Sequence, residues 1–354
     1  MEKVAIFTDS KNYEVFIGED ILDSLHMRLN KYSKVLLVTD ETVNRLHLNT
    51  IINSIPERID YEVYTTPSGE KAKTFKVYED CISFALKVGL DRKSVILAFG
   101  GGAIGDLAGF VAATYMRGIA FIQIPTTILA HDSAVGGKVG INHPLGKNMV
   151  GAFYQPDIVI YNTNYLNTLP VRQIKSGFAE VVKHALIADV NFLNELMNHV
   201  QSIEEVISDK LPTYLKRGIE VKAKIVGLDE RESGVRAYLN FGHTLGHALE
   251  AHAGFGNLTH GEGVMCGMVY ALLLSKKLVG LDFDLDSFIN WIERLGYQWK
   301  IPSSTQFDTI YELMKRDKKS VANKPVFVLL KSIGEPVLTA VDVPVLRETF
   351  YMMS

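Results

Sequence analysis

The chain has 354 residues, a formal charge of -3 at neutral pH and a pI near 6.4. The length exceeds the usual size of one hydrophobic core, so two domains are expected, and the near-neutral charge gives no reason to expect nucleic acid or an anionic membrane as a partner. Two cysteines, Cys81 and Cys266, each in an apolar helical context, exclude a disulfide framework and fit a soluble protein of the reducing cytoplasm.

The N-terminal stretch MEKVAIFTDSKNYEVFIG lacks a basic start followed by an apolar core, so no signal peptide is expected. Continuous apolar runs at Lys34–Asp40, Ser94–Gly100, Ala120–Thr127 and Asp157–Asn162 predict strands covered on both faces. Helical spacing between them, in EKAKTFKVYEDCISFALKVGL and GDLAGFVAATYM, completes an alternation that predicts a parallel α/β layer. Beyond Val171 helical periodicity dominates, through FAEVVKHALIADVNFLNELM, LKRGIEVKAKIVGLDE, FGHTLGHALEAHAG and EGVMCGMVYALLLSKKL, with one late β-rich run, PVFVLLKSIG. The most apolar of these, GVMCGMVYALLLSKKLVG, meets lysines too early to span a bilayer. The fold class expected is α/β, with a Rossmann-like N-terminal domain over 1–165 and a mainly α-helical C-terminal domain over 166–354.

FGGGAIGDLAGF follows a predicted strand and opens a predicted helix, where glycines let backbone N–H groups approach a phosphate. Gly100, Gly102 and Gly105 match G-x-G-x-x-G, yet the motif lies nearly a hundred residues into the chain, and no acidic residue ends a strand about 20 positions later. Asp40, at the end of an earlier strand, is a candidate ribose contact; a tight turn without a ligand is the competing explanation. Asp106 reads either as a residue of the first helical turn, stabilised by the dipole, or as a ligand contact.

TTILAHDSAVGGKVGINHPLGKNMVGAFYQP reads as a long ordered loop. Lys138 and Lys147 each follow a glycine-bearing turn that would aim an ammonium at an oxyanion, phosphate above all. Singly, either lysine is explained as a solvated surface charge; together with Asn148 and Arg117 they form a candidate phosphate cluster.

Four of the ten histidines fall between Asn240 and Gly263. His243 and His247 share a helix face, but Thr244 stands where a metallopeptidase helix would carry its glutamate. A catalytic zinc commonly takes three protein ligands, so a third could come from His252, His260 or a carboxylate such as Glu180, which shares a helix face with Lys183 and His184. A single histidine in such a helix is usually a satisfied core residue, an explanation that four in one window strain.

GGGAIGDLAGFVAATYMRG, IPTTILAHDSAVGGKVGINHPLGKNMVGAFYQP, GFAEVVKHALI and LNFGHTLGHALE followed by HGEGV, in this order, closely resemble the 3-dehydroquinate synthase family of sugar-phosphate cyclases. The resemblance runs from Asp40 to the region of Lys318, and that family is related in fold to glycerol dehydrogenase and other metal-dependent polyol dehydrogenases. It implies a carbon–oxygen lyase of the shikimate pathway that binds NAD and a catalytic zinc, with cobalt(II) as an alternative metal. The substrate implied is a phosphorylated sugar acid, 3-deoxy-D-arabino-heptulosonate 7-phosphate, and the protein a homodimer with neither nucleic acid nor membrane as partner.

Carried over residue by residue, the metal ligands implied are Glu180, His243 and His260, which replaces the pairing of His243 with His247 and leaves His247 for proton transfer. The nucleotide contacts implied are Asp40, Glu70, Lys73, Gly101, Gly102, Asp106, Thr126, Thr127, Lys147 and Thr168. The substrate contacts implied are Arg117, Asp132, Lys138, Asn148, Lys183, Lys222, Arg236 and Asn240, with Lys318 or Lys319. Arg117 is expected to reach the site of a partner subunit. One departure stands out: TTILAHDSAVGGK is one residue shorter than the family pattern, so the place of Asp132 is in question, and the preceding His131 either compensates or is exposed. The competing activities are another sugar-phosphate cyclase such as 2-deoxy-scyllo-inosose synthase, a polyol dehydrogenase that releases NADH, and a catalytically silent nucleotide-binding subunit.

Overall fold

The computed structural model describes residues 1–254, 257–315 and 325–354, so Lys318 and Lys319 lie outside the described residues. By contact the chain forms two compact units, one of residues 1–169 with 211–231 and one of residues 170–210 with 232–354.

The first unit opens with β1 (Glu2–Ile6) and β2 (Tyr13–Gly18), an antiparallel pair. There follow α1 (Asp23–Leu29), β3 (Lys34–Asp40), α2 (Glu41–Ile52), β4 (Asp60–Thr66), α3 (Phe75–Lys87), β5 (Val95–Gly100), α4 (Gly102–Thr114) and β6 (Ala120–Pro125). The short α5 (Ala130–Ser133), β7 (Lys138–His143), β8 (Gly146–Phe153) and β9 (Ile158–Asn162) complete its N-terminal part. The main sheet runs β1-β2-β9-β6-β5-β3-β4 and is parallel throughout except for the first pair.

All four strands predicted from apolar runs are present. Their continuity has a simple cause: alternate residues face opposite sides and both sides are covered. Leu36, Val38, Ile96 and Ala98 pack with Cys81 of α3 and Leu107 and Val111 of α4. Val35, Leu37, Val95 and Leu97 pack on the other face with Leu25 and Leu29 of α1 and Val43 and Ile51 of α2.

Six parallel strands in the order β4-β3-β5-β6-β9-β2 reverse direction of growth between β3 and β5. In open α/β sheets, ligands bind beyond the carboxyl ends of the strands at such a point. Asp40 ends β3, and Gly100 ends β5.

The stretch expected to be a long loop is instead largely structured, because β7 and β8 form an antiparallel hairpin against α4. A Cβ on Gly109 of α4 would stand 2.4 Å from the side chain of Val139 on β7, so the helix must be bare there for the hairpin to lie on it.

Just before β9, the Asp157 carboxylate meets Lys11, Lys31 and the Tyr32 hydroxyl, which donates to it. Burial opposes the charge, yet these hydrogen bonds and cations hold the Asp157 carboxyl below its usual range. A depressed carboxylate contributes stability that is present above its unfolded pKa and is lost as pH falls through the folded value. Asp157→Asn is therefore expected to lower the denaturation midpoint at pH 7, with the difference from wild type shrinking below about pH 4. A gap of constant size down to pH 2 would count against this linkage.

In the second unit, helical spacing from Phe178 to Met197 gives two helices rather than one, α6 (Val171–Ala188) and α7 (Val190–His199). Asp189 breaks the run: its backbone is extended and its side chain caps α7 by accepting from the N–H groups of Asn191 and Phe192. Next in the chain, α8 (Leu211–Leu228) belongs to the first unit, where it packs on β1 and pairs Lys216 with Glu2 at 2.8 Å. The second unit continues with α9 (His243–Ala253), α10 (His260–Leu278), α11 (Leu285–Arg294) and α12 (Phe307–Lys315). The late β-rich run forms β10 (Val326–Ser332), paired with β11 (Glu335–Ala340), and α13 (Val343–Met352) follows.

Both cysteines are buried, and burial pushes each thiol up to about 12, which keeps them inert at neutral pH. No helix of the described residues is long and apolar enough to cross a membrane.

Candidate functional site

At the carboxyl end of the first unit's sheet, Gly101 caps α4 with extended backbone and Gly102 begins it. A Cβ on Gly101 would stand 2.9 Å from Thr127 Cγ2, and one on Gly102 would stand 2.8 Å from Ser133 Oγ. These glycines leave backbone N–H groups bare at a helix N-terminus, the arrangement that accepts a phosphate. Gly100 and Gly105 answer to packing instead, since their Cβ atoms would meet Ile104 and Gln123. Beside the turn, the hydroxyl oxygens of Thr126 and Thr127 are buried and meet no hydrogen-bond partner among the described residues. Buried hydroxyls in that condition are costly unless a ligand serves them.

Around the turn stands a polar network that gathers five of the expected residues. Buried Lys73 donates to Asp106 Oδ2 at 2.6 Å and to Asn148 Oδ1. Glu70 accepts from Asn142 Nδ2 at 2.7 Å and lies 3.5 Å from Lys147 Nζ, and Asn142 Oδ1 accepts from the Asn148 N–H at 2.9 Å. Asn142, near the end of β7, is the member that sequence reasoning missed. Asp106 lies in the second turn of α4, not the first, and its electrostatic partner is Lys73 rather than the helix end. Burial pushes the Asp106 carboxyl upward against the pull of that lysine. Asn148, an exposed residue, holds a left-handed backbone, φ 56°, an uncommon cost, while its Oδ1 accepts from Lys73.

Asp40 is 7% exposed and caps α2, its Oδ1 accepting from the N–H groups of Thr42 and Val43 and from Ser68 Oγ. Thr168 is exposed and pairs its hydroxyl with His47 Nε2 at 2.8 Å. Lys138 is exposed and follows Gly136 and Gly137, both with positive φ, as its glycine turn predicted. Asp132, whose place the shortened segment put in question, sits on α5 with Lys222 Nζ 3.0 Å from its Oδ2, so two expected substrate contacts meet. His131 is fully buried, with Nδ1 2.7 Å from the Ile128 carbonyl, which rules out the exposed alternative.

Arg117 stands apart from this group. It follows α4 on a strained turn, Met116 and Arg117 both having positive φ, and is exposed. Roughly 12 Å of helix separates Asp106 from Thr114, the last residue of α4 before that turn.

In the second unit three helices converge by means of glycine. A Cβ on Gly267 of α10 would stand 1.9 Å from the Gly242 carbonyl oxygen at the start of α9, and Cβ atoms on Gly246 and Gly263 would stand 2.8 and 2.9 Å from each other's carbonyl oxygens. A Cβ on Gly261 would stand 2.1 Å from the Ser176 carbonyl oxygen of α6. With backbones in contact, His243 at the first position of α9, His260 at the first position of α10 and Glu180 of α6 come together.

His243 Nε2 is 3.6 Å and His260 Nε2 3.5 Å from Glu180 Oε1. Two ligands of a tetrahedral zinc, each about 2 Å from the ion, stand about 3.3 Å apart, so this donor set fits the metal. The ligand atoms of His243, His247 and His260 also lie within 4.8 Å of one another, and His247 is exposed where Glu180 is 1% exposed. Glu180 Oε2 accepts from Lys183, itself 1% exposed.

Local chemistry aims the rings. His243 Nδ1 faces the Phe241 carbonyl at 3.1 Å and His260 Nδ1 faces Glu250 Oε2 at 3.3 Å, leaving both Nε2 atoms for Glu180. Burial holds the His243 imidazole well below its usual range. For His260 burial acts in the same direction, but the hydrogen bonds to Glu180 and Glu250 prevail and raise it to about 9. Thr259 and Glu262 form a reciprocal capping box that fixes the start of α10, and so His260; T-x-x-E in THGE was its signal.

Arg236, 1% exposed, and Asn240, which donates to Glu232 at 3.0 Å, lie on the short 3-10 helix Val235–Asn240. His252, in the last turn of α9, is exposed and is outside the donor set.

Fold and donor set together are compatible with the sugar-phosphate cyclase class. Two family models match, 3-dehydroquinate synthase N-terminal over residues 63–176 and 3-dehydroquinate synthase C-terminal over residues 177–320. The chain is 51% identical to 3-dehydroquinate synthase of Listeria monocytogenes and 51% identical to that of Listeria innocua, each time across 99% of this chain and 97% of the relative. A solved 2-deoxy-scyllo-inosose synthase, complexed with carbaglucose-6-phosphate, NAD+ and Co2+, superposes with a TM-score of 0.90 over the whole of both chains at 27% identity. The chain belongs to the 3-dehydroquinate synthase family.

Proposed function

We propose that the chain converts 3-deoxy-D-arabino-heptulosonate 7-phosphate to 3-dehydroquinate and phosphate, as a homodimeric cytoplasmic lyase using NAD and zinc. What carries the reading is a Glu180, His243 and His260 donor set, at 3.5 and 3.6 Å, in a sequence half identical to proteins of that name.

Asp40, Glu70, Lys73, Gly101, Gly102, Asp106, Thr126, Thr127, Lys147 and Thr168 would hold NAD, which would supply a hydride acceptor. Glu180, His243 and His260 would hold zinc, or cobalt(II) in its place, which would lower the pKa of a substrate hydroxyl. Thr126 and Thr127 fit the nucleotide's part because their buried hydroxyls lack a partner among the described residues.

Oxidation of one carbinol acidifies the neighbouring carbon, and phosphate then departs by β-elimination. Lys138 and Asn148 orient that group and stabilise the charge it develops, with Arg117 supplied by the partner subunit. The helix that separates Arg117 from Asp106 supports this division. Lys183, Lys222, Arg236, Asn240 and Asp132, with Lys318, position the carboxylate and hydroxyls. Reduction and intramolecular aldol closure follow. His247, exposed beside the donor set, takes the hydroxyl proton.

His247→Ala is expected to keep one zinc per chain and to lose about a hundredfold or more in turnover, the usual scale of a proton-transfer residue. Zinc lost from it as readily as from a His243 variant would make His247 a ligand instead.

The competing cyclase reading has less support, at 27% identity against 51%. Offered 3-deoxy-D-arabino-heptulosonate 7-phosphate and glucose 6-phosphate separately, the metal-loaded protein should release phosphate from the first alone. Release from glucose 6-phosphate alone would transfer the assignment to the other cyclase.

A further inference from the structure

The His260 ring lies between two carboxylates, Glu180 Oε1 3.5 Å from its Nε2 and Glu250 Oε2 3.3 Å from its Nδ1. We propose that Glu250 is a positioning residue of the metal centre: it holds the Nδ1–H of His260, fixes the ring so that Nε2 is the donor, and adds negative charge behind it. The inference rests on the reading of His260 as a metal ligand.

Glu250 falls seven residues after His243 and three after His247, so α9 carries all three on one face. It is 9% exposed, and a carboxylate so enclosed is costly without a compensating partner. The two imidazole ligands are held differently, His243 by the neutral Phe241 carbonyl and His260 by an anion. An acceptor on the far nitrogen fixes the tautomer, and a charged one makes the ligand more basic.

Charge balance points the same way. Lys183 is paired with Glu180, so the cation offsets the only negative charge in the donor set. Glu250 then supplies the further negative charge that a divalent ion needs in a buried setting.

The test measures zinc affinity of the full chain by competition with a chromophoric chelator, for wild type, Glu250→Gln, Glu250→Ala and His260→Ala. Glu250→Ala is expected to bind zinc about 10- to 100-fold more weakly, with Glu250→Gln between it and wild type because an amide oxygen still accepts from Nδ1–H but brings no charge. The visible absorption of bound Co2+ should shift in both variants, which a purely structural role for Glu250 would not produce, and Gln is near-isosteric, so folding should survive. If both variants keep wild-type affinity and cobalt spectra while His260→Ala loses metal, the inference fails and the donor set stands. If His260→Ala itself keeps wild-type affinity, the ligand assignment fails and takes the inference with it.

Discussion

His243→Ala is expected to lose zinc and, with it, turnover by about a thousandfold or more, the scale of several kcal/mol that metal charge stabilisation contributes. His243 is 8% exposed, its Nδ1 is engaged by the Phe241 carbonyl, and its Nε2 is directed to Glu180. Alanine removes one of three donors and leaves behind a buried carboxylate and one imidazole. Metal content by atomic absorption and phosphate release on the same sample decide it. A variant with one tightly held zinc and near-normal rate would mean that the cluster's ligands are other residues, His247 foremost.

Gly267→Ala is expected to destabilise the chain by about 3 kcal/mol or more, the upper range for overpacking. Its methyl would stand 1.9 Å from the Gly242 carbonyl oxygen, a backbone atom that no side-chain rotation can move. The two helices must separate, and their contact is what brings His243 and His260 to Glu180, so zinc affinity should fall with stability. Denaturant midpoints together with chelator competition check both. Wild-type stability would show that the helix crossing has slack that the backbone contact denies.

Much of the fold was legible because its sheet is covered on both faces. The runs at Lys34–Asp40 and Ser94–Gly100 are apolar at every turn of the pleat, a pattern that periodicity reads directly. The β7–β8 hairpin was not, because its strands carry Gly140, Gly146 and Gly151 and expose Met149, and the turn between them exposes Leu145, so neither alternation nor continuous burial marks them. The break at Asp189 was hidden by apolar spacing that runs unbroken across it, although an aspartate inside a helical run is a capping signal. The place of α8 was illegible for another reason: a helix's spacing says which face is buried, not against which sheet.

Within the site, the histidine window declared a metal centre by density alone, but spacing on one helix favoured His243 with His247. Glu180 is a candidate carboxylate in the sequence and, through the resemblance, a ligand; its place beside His243 and His260 is a relation that the spacing of residues along the chain does not express. Glu250 and Asn142 went unread for the same reason, since each acts on a residue of a separate segment. The glycines Gly242, Gly246, Gly261, Gly263 and Gly267 were visible as a bracket around the histidines; their purpose, letting three helices touch, appears only when the backbones are placed.

The most direct measurement follows phosphate release from 3-deoxy-D-arabino-heptulosonate 7-phosphate by the metal-loaded protein with trace NAD, with NADH absorbance recorded in the same cuvette. Phosphate equal to substrate consumed, with no lasting NADH, is the result expected of an enzyme that returns the hydride in every turnover. NADH that accumulates in step with substrate lost, without phosphate, would contradict the account and make the protein a polyol dehydrogenase.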